Sequence, residues 1–474
     1  MTQTAPAATS AQRSVTSGRG ALAAVGLALF CIQLDFFGLN LAIPNMTVDL
    51  HTTTDDVQWV LSAYMLSLGS LFILGGRLGD IYGRRPMLLA GISVFTAAAV
   101  LCAVAPNLGS LVVFRVLAGV GAALIFPVGV AVVSNAFDSR HRAKALGATF
   151  AIANIGTAVG PFVGGGLSQG PGWRWIFWAL APVGLVSLAI AWRSVANSRD
   201  PAASRRIDYA GAGLLVAGVA MLSFVVDRIG SWGWDSVRSI GLLVLAAALL
   251  AAFVWTETRV REPLVDLSLF QNLPYVLVTT LGSITNIGYG VLIFVVTLYL
   301  QGVRGLSPIM AGCVFLAPAI LVSISGPIGA RLNSLFRPTL VMAVSGTVGA
   351  VAVLGMTHVV PWAAFIPLFA LAGFGYGLGW GFANLATQDV VDPDRAGEAS
   401  GVLLTALVSM GGIGLAIVAN AIGSLERDGH SQQAAYWGSL RVVALVTIAA
   451  AITALVVRAI LVHRGRMQPL SMKR

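Results

Sequence analysis

The chain has 474 residues, of which 57% are hydrophobic and only 10% are charged, whereas soluble domains carry roughly 25% charged residues. This composition excludes a water-soluble globular protein and predicts an all-α integral membrane protein. The net charge of +10 comes from Lys and Arg residues dispersed among short loops. No basic patch is large enough for a phosphate backbone, so we predict no nucleic-acid partner.

Apolar stretches of about 20 residues, long enough to cross a hydrocarbon core roughly 30 Å thick as helices, recur along the chain. They predict fourteen transmembrane helices over 20–44, 57–78, 87–105, 108–135, 143–168, 174–193, 208–228, 237–256, 273–300, 308–331, 339–358, 362–387, 399–424 and 438–462. Residues 1–19 are rich in Ser, Thr and Ala and are predicted to be a disordered cytoplasmic tail, and residues 463–474 form a second tail. An even number of helices places both termini on one side. Most of the 29 Lys and Arg residues then fall on that side, which predicts cytoplasmic termini.

Two connections, 197–208 and 256–272, carry more Pro, Arg and Asp than the other loops and bracket the seventh and eighth helices. They predict a division into an N-terminal six-helix bundle (20–193), a linker with two additional transmembrane helices (194–272) and a C-terminal six-helix bundle (273–462).

The two predicted bundles resemble each other in sequence. GRLGDIYGRRPMLL at 76–89 is echoed by GARLNSLFRPTLVM at 329–342. Parallel repeats of this kind build transporters whose two halves rock about a central site.

Several short motifs carry a family resemblance. They are LDFFGLNLAIP (34–44), GRLGDIYGRR (76–85), LVVFRVLAGVGAA (111–123), GTAVGPFVGG (156–165), WRWIFWALAPVG (173–184) and EPLVDLSLF (262–270). Together they resemble the major facilitator superfamily and, within it, the fourteen-helix branch of drug/proton antiporters. The helix-one motif has Phe37 and Gly38 where that branch usually has Thr and an aliphatic residue. The resemblance implies a major facilitator fold arranged as 6 + 2 + 6 helices in the plasma membrane of a bacterium.

Two charged residues lie inside the predicted spans. Asp35 is the only carboxylate placed deep in a helix, and Arg115 is the only basic residue within one. A charge at mid-bilayer costs about 2.5 to 3.5 kcal/mol on insertion scales, so an intramembrane acid indicates a functional site. We expect Asp35 to bind and release a transported proton, and the resemblance implies that Arg115 takes part in proton coupling. The alternatives are a fixed pairing of Asp35 with Arg115 or helix-end amides, and an Arg115 that only satisfies backbone carbonyls.

The loop between the second and third predicted helices is too tight for a substrate site. The resemblance implies that it is a conformational latch that holds one face of the transporter closed. Its residues are Gly76, Asp80, Gly83, Arg84 and Arg85. The alternative is a solvated loop that its arginines keep in the cytoplasm.

The fifth predicted helix combines small residues four apart with a proline, which lets two helices pack backbone to backbone. The residues are Gly156, Gly160, Pro161, Gly164 and Gly165. Because the resemblance identifies them as the antiporter signature, they favour export over uptake.

Polar and aromatic side chains near mid-span are candidates for a substrate cavity. In the twelfth predicted helix, glycines alternate with aromatic residues. This pattern indicates either a tightly packed helix or an aromatic wall for flat or cationic ligands. The cavity candidates are Gln33, Phe36, Phe37, Asn40, Asn154, Asn286, Tyr289, Phe294, Tyr376, Trp380 and Asn384.

Other function classes find little support in the sequence. The chain has no GxxxxGK[ST] phosphate loop for an ATP-driven pump, and its five histidines and three cysteines show neither metal-ligand spacing nor a nucleophile with its base. We therefore predict no enzyme activity, no metal and no cofactor. We predict a proton-coupled exporter of amphipathic small molecules such as drugs or antibiotics, functional as a monomer, with protons, substrate and membrane lipid as its partners. The alternatives are a dedicated exporter of one natural product or metabolite and a proton-coupled importer.

Overall fold

The computed structural model describes residues 7–198, 208–260, 263–358, 361–392 and 395–463, and it contains helices but no strand within these ranges. The α-helices are α1 Ala7–Asn40, α2 Ile43–Asp49, α3 Thr54–Tyr82, α4 Arg84–Ala103, α5 Leu108–Ala136, α6 Ser139–Gln169, α7 Arg174–Ser194, α8 Tyr209–Trp232, α9 Val237–Glu257, α10 Leu273–Leu298, α11 Pro308–Leu335, α12 Pro338–Met356, α13 Trp362–Val390, α14 Ala396–Arg427 and α15 Gln432–His463. A short 3-10 helix, Leu267–Gln271, precedes α10, and a π turn, Tyr299–Val303, follows it.

Every α-helix except α2 is long and apolar enough to span a membrane, which gives fourteen candidate spans in the described part of the chain. The prediction of an all-α protein with fourteen transmembrane helices is therefore confirmed. The side of the membrane on which the termini lie stays a prediction.

The spans pack as two groups of six. Helices α1 and α3–α7, here called the first bundle, contact one another, and so do α10–α15, the second bundle. The bundles meet along two seams, α3 against α14 and α6 against α11. The α8–α9 hairpin lies beside the α3–α14 seam and contacts both of its helices. The sequence division at 193 and 272 stays a prediction, because packing alone does not define a folding unit.

The helices end at two faces, here called the terminal face and the opposite face. The terminal face is the one at which α1 begins and α7 ends, and there Arg84 N donates a hydrogen bond to Ser198 O at 2.8 Å. The opposite face carries α2 and the loops that precede α5 and α7. Its polar contacts include Asn45 Nδ2, which donates to Ser168 O at 3.0 Å.

The first predicted helix differs from α1 at both ends. Helix α1 begins at Ala7, inside the predicted tail 1–19, and the stretch up to Ser17 holds no Pro or Gly that would end a helix. The disorder of that tail stays a prediction. The predicted end of the first helix at 44 is wrong, because α1 ends at Asn40. The chain turns after Asn40, and Pro44 occupies the first turn of α2, where its missing N–H leaves no hydrogen bond unmade. Residues 1–6 and 464–474, which belong to the predicted tails, lie outside the described residues.

Candidate functional site

A buried ion pair joins α1 to α5. Arg115 Nη1 donates to Asp35 Oδ2 at 2.6 Å, and each side chain is 1% exposed. Asp35 lies five residues before the end of the membrane-spanning part of α1, Gly18–Asn40, and Arg115 lies two turns into α5. The structure thus brings together the two charges that the sequence places at depth.

Further contacts hold the Arg115 guanidinium. Its Nε donates to Val60 O of α3 at 2.9 Å, and its centre lies 4.3 Å from the ring centroid of Tyr64 and 5.8 Å from that of Phe177. Sequence reasoning missed both aromatic residues. Only the mid-span hydroxyl of Tyr64 could have indicated one of them.

Three polar atoms at the ion pair are buried without a hydrogen-bond partner among the described residues. They are Asp35 Oδ1, Arg115 Nη2 and Tyr64 Oη. Buried polar atoms normally find a partner, so such groups mark a site with a chemical or binding role. Chemically, Asp35 can accept a proton on Oδ1 while Oδ2 remains in contact with Arg115. The same geometry therefore allows Asp35 to be paired with Arg115 and also to exchange a proton.

The glycines of α6 position Asp35 by letting α1 approach closely. A Cβ built on Gly156 would lie 2.4 Å from Phe30 O, and one on Gly164 would lie 2.1 Å from Gly38 O. Both distances are too short for any side chain. The two backbones are therefore in direct contact on both sides of Asp35, as small-xxx-small packing requires.

The same motif also reaches the second bundle. A Cβ on Gly165 would lie 2.3 Å from Pro308 O at the start of α11, and one on Gly312 would lie 3.0 Å from Pro161 O. A Cβ on Gly160 would lie 3.0 Å from the Cβ of Phe37 on α1. The motif therefore belongs to both a contact within the first bundle and a contact between bundles.

The predicted latch residues contact other helices of the first bundle. Asp80 and Arg84 form an ion pair at 2.9 Å, and Arg85 Nη2 donates to Trp192 O at 2.7 Å while its guanidinium lies 5.7 Å from the Trp192 ring. Gly83 has φ +109°, a conformation that favours glycine. Gly76 and Gly79 face Pro127 and Val128 of α5.

Four of the predicted cavity residues form an aromatic chain between the bundles. The ring centroids of Phe36 and Phe37 on α1 are 5.0 Å apart, Phe37 lies 5.9 Å from Tyr289 on α10, and Tyr289 lies 6.3 Å from Trp380 on α13. The indole N–H of Trp380 is buried and has no partner among the described residues.

The remaining predicted cavity residues do not join this chain. Tyr376 is fully buried inside the second bundle, with its ring against Gly288 and Gly349. Phe294 is also buried, and Asn154 and Asn384 are half-buried.

Three predicted polar cavity residues hydrogen-bond to neighbouring helices or to their own helix. Gln33 Nε2 donates to Thr157 Oγ1 at 2.8 Å, and Asn40 Nδ2 donates to Phe36 O at 2.8 Å. Asn286 Nδ2 donates to Leu407 O at 2.7 Å.

Glycines of α13 serve packing at four of the five alternating positions. A Cβ on Gly373 would lie 2.5 Å from Pro318, and one on Gly375 would lie 2.4 Å from Gly349 N. A Cβ on Gly377 would lie 2.8 Å from Val322, and one on Gly379 would lie 2.7 Å from Thr285. At Gly381 no described residue of another helix comes within 4 Å of the Cβ position.

Sequence reasoning missed a polar cluster at the opposite face. Asp49 Oδ2 accepts hydrogen bonds from Trp173 Nε1 at 3.0 Å and from Arg174, and Arg174 Nη2 donates to Ala105 O at 3.3 Å. The hydrogen bond from Arg174 is the main reason why the pKa of Asp49 lies below its usual value. Asp49 ends α2 and Arg174 begins α7. No periodicity relates positions on separate helices, so the sequence held no signal for this cluster.

Two hydrogen bonds join the bundles at the same face. Gln301 Nε2 donates to Leu41 O at 3.5 Å, and Ile309 N donates to Gln169 Oε1 at 3.4 Å. With the close contact between Gly165 and Pro308, they hold α1 and α6 against α10 and α11 at the opposite face.

A sequence profile of the Major Facilitator Superfamily matches residues 25–415. The chain belongs to this superfamily. It is 33% identical to Multidrug resistance protein Stp of Mycobacterium tuberculosis (strain CDC 1551 / Oshkosh) over 411 residues, which are 85% of this chain and 75% of that protein. It is 29% identical to Tetracenomycin C resistance and export protein of Streptomyces glaucescens, over 86% of this chain and 76% of that protein. Puromycin resistance protein pur8 of Streptomyces alboniger is 31% identical, over 82% of this chain and 78% of that protein.

A solved structure supports the fold of this major facilitator. The crystal structure of a peptide transporter POT in complex with sulfate matches with a TM-score of 0.66, covering 92% of this chain and 94% of the other. At 14% identity this likeness concerns the fold alone. As a major facilitator, the chain is a multi-pass membrane transporter of small molecules.

Replacing Asp80 in this major facilitator tests the predicted latch. Asp80 is about one third exposed, and an exposed ion pair contributes at most about 1 kcal/mol, so we expect Asp80→Asn to fold normally. We expect its transport rate to fall severalfold, because Arg84 loses its charged partner at the start of α4. Folded yield by size-exclusion chromatography and transport in membrane vesicles are the measurements.

Asp138→Asn is the matched control, because Asp138 forms an exposed pair with His141 in the next loop of the terminal face. Asparagine also preserves the helix cap at that position. Equal transport by Asp80→Asn and Asp138→Asn would contradict the latch.

Proposed function

We propose that this protein is a proton-coupled antiporter that exports amphipathic small molecules, such as drugs or antibiotics, across the plasma membrane of a bacterium. The resistance and export proteins to which it is similar support this substrate class. The observation that carries proton coupling is the buried pair of Asp35 and Arg115 in the membrane-spanning part of the first bundle. An unpaired carboxylate inside the membrane costs free energy, and the pairing with Arg115 lowers that cost. A paired carboxylate that still binds and releases a proton can relay protons across the membrane.

Alternating access supplies the mechanism. When one face opens, Asp35 exchanges its proton with that side, and the rocking of the two bundles exposes it to the other. A proton that moves down a potential of 100 mV contributes about 2.3 kcal/mol, which drives roughly a fiftyfold gradient of a neutral substrate in 1:1 exchange. The protein is expected to work as a monomer, since one chain supplies both bundles.

The aromatic chain is the part of the site best suited to the substrate. Phe37, Tyr289 and Trp380 come from both bundles, so a bound molecule would contact both halves at once. Their faces suit flat or cationic molecules, and the indole N–H of Trp380 is a hydrogen-bond donor that the described residues leave unused.

A dedicated exporter of one natural product is the second candidate. The relative from Streptomyces glaucescens, which bears the name of a single compound, favours it. A susceptibility panel in an efflux-deficient host separates the two candidates, because a dedicated exporter protects against one compound class only.

Everted membrane vesicles with an acidic interior test the coupling. We expect a lipophilic cation such as ethidium to dissipate the pH gradient in vesicles that contain this protein, because each substrate molecule pumped inward releases a proton outward. Asp35→Asn should remove this response, because an amide does not bind a proton at physiological pH.

The control is Asp235→Asn, which changes an exposed carboxylate in the α8–α9 hairpin. Full coupling in Asp35→Asn would contradict the assignment of the proton site. Acid-driven uptake of the substrate into intact cells would contradict export.

A further inference from the structure

We propose that Tyr64 is a positioning residue that keeps Arg115 in place while Asp35 carries its proton. The inference rests on the proposed function, because it concerns the same proton site. It adds a residue of α3 to a site that the sequence assigned to α1 and α5 alone.

Proton uptake changes the balance of contacts around Arg115. A proton binds to the carboxylate of Asp35 and forms a neutral carboxylic acid, so the ion pair loses one of its two charges. The guanidinium keeps its charge, because arginine does not lose its proton in proteins. A lone cation then remains in a position that is 1% exposed.

Besides the uncharged oxygen Oδ2 of Asp35, two kinds of contact hold that cation. One is the hydrogen bond from Arg115 Nε to Val60 O at 2.9 Å. The other is the aromatic surface, of which Tyr64 supplies the nearer ring at 4.3 Å and Phe177 the farther ring at 5.8 Å. Attraction between a cation and a ring is strongest when both are removed from water, and Tyr64 is fully buried.

The hydroxyl group of Tyr64 does not hold Arg115 in place. It is buried and has no hydrogen-bond partner among the described residues. The ring is therefore the functional part of the side chain, and phenylalanine should replace it.

Two other titratable side chains lie near the pair, Cys31 of α1 and Cys102 of α4. Both are buried. A neutral thiol offers neither a counterion nor an aromatic face, so neither can take over the role of Tyr64. Phe177 of α7 is aromatic but lies farther away.

The test compares Tyr64→Phe with Tyr64→Leu in the full chain, reconstituted in proteoliposomes, with ethidium as the substrate. Substrate-driven proton movement is measured over a range of about three pH units around neutrality. Tyr64→Phe should keep at least about half of the wild-type rate, with the same pH profile. In Tyr64→Leu the rate of proton movement at neutral pH should fall about tenfold, and the remaining activity should move to lower pH. A higher proton concentration is then needed to protonate Asp35, because the neighbouring Arg115 cation has lost the ring that stabilised it.

Several outcomes would overturn the inference. One is a wild-type rate and pH profile in Tyr64→Leu, and another is a loss in Tyr64→Phe as large as that in Tyr64→Leu, which would assign the role to the hydroxyl. If Tyr64→Leu does not accumulate, Tyr64→Met replaces it, since methionine adapts to irregular space without an aromatic face.

Asp35→Asn, measured alongside, separates this inference from the proposed function. Coupling that survives in Asp35→Asn would overturn the proton site itself. Coupling that is lost in Asp35→Asn but unaltered in Tyr64→Leu would overturn only the role of Tyr64.

Discussion

Arg115→Leu is expected to lower the yield of folded transporter sharply. The substitution leaves Asp35 buried with no hydrogen-bond partner among the described residues, because Oδ2 loses Arg115 and Oδ1 has none. Breaking a buried ion pair by removing one partner costs about 3–5 kcal/mol. A loss of that size approaches the whole stability of a typical domain, about 5–15 kcal/mol.

Removal of the other partner is expected to cost less. In Asp35→Asn, Arg115 keeps its hydrogen bond to Val60 O and its contact with the Tyr64 ring, and the new amide oxygen still accepts a hydrogen bond. Asp35→Asn should therefore fold at close to the wild-type yield and fail only in proton coupling. The two substitutions differ in expected stability because Arg115 has contacts besides Asp35, whereas Asp35 has no hydrogen bond besides that from Arg115 among the described residues.

The double variant Asp35→Leu with Arg115→Leu completes the test. Replacing both members of a buried ion pair by apolar residues is often neutral or stabilising, so we expect folded yield to recover while coupling stays absent. Yield and thermal midpoint are measured by fluorescence-detected size exclusion, and coupling by the vesicle assay. A double variant less stable than Arg115→Leu would show that the pair itself is not what stabilises the site.

The sequence predicted the two charges of the site because charges are rare in apolar spans and costly there. It could not predict how they pair. Asp35 and Arg115 are 80 residues apart on different helices, and no periodicity links the registers of α1 and α5. The sequence did not indicate Tyr64 for the same reason, since its distance from Arg115 depends on how α3 packs against α5.

The substrate cavity stays a prediction, because in sequence an aromatic residue of a glycine-rich helix looks the same whether it lines a cavity or fills a core. Tyr376 and Trp380 lie one turn apart on α13, yet Tyr376 packs inside the second bundle while Trp380 reaches Tyr289. The neighbouring glycines face several different helices, so no single stripe marks the cavity side.

Fold class was easier to predict than helix ends. Span length and apolar content are local properties, and they led to fourteen helices. The turn between α1 and α2 depends instead on Pro44, which lies in the first turn of a new helix. Hydropathy alone does not reveal such a turn, because the residues on both sides of it are apolar.

Gly165→Ala is expected to open the opposite face without unfolding the first bundle. Its new Cβ would lie 2.3 Å from Pro308 O, which belongs to the second bundle, so α6 and α11 must separate. The neighbouring variant Gly164→Ala places its Cβ 2.1 Å from Gly38 O, within the first bundle. It should therefore lower stability, by about 1–3 kcal/mol as for an overpacked core, rather than shift the conformation.

Gly166→Ala is the matched control, because the only close atom at its Cβ position is Ile309 Cδ1 at 3.8 Å. Alanine there should be neutral or slightly stabilising, since it is the better helix former. Spin labels at Val48 and Met310, exposed residues at the opposite face of the two bundles, report the separation. We expect longer distances in Gly165→Ala alone, and a loss of transport with them, because a face that cannot close prevents alternating access. If the distances in Gly165→Ala matched those in Gly166→Ala, the contact between Gly165 and Pro308 would not hold the opposite face closed. The helix-five motif would then act within the first bundle only.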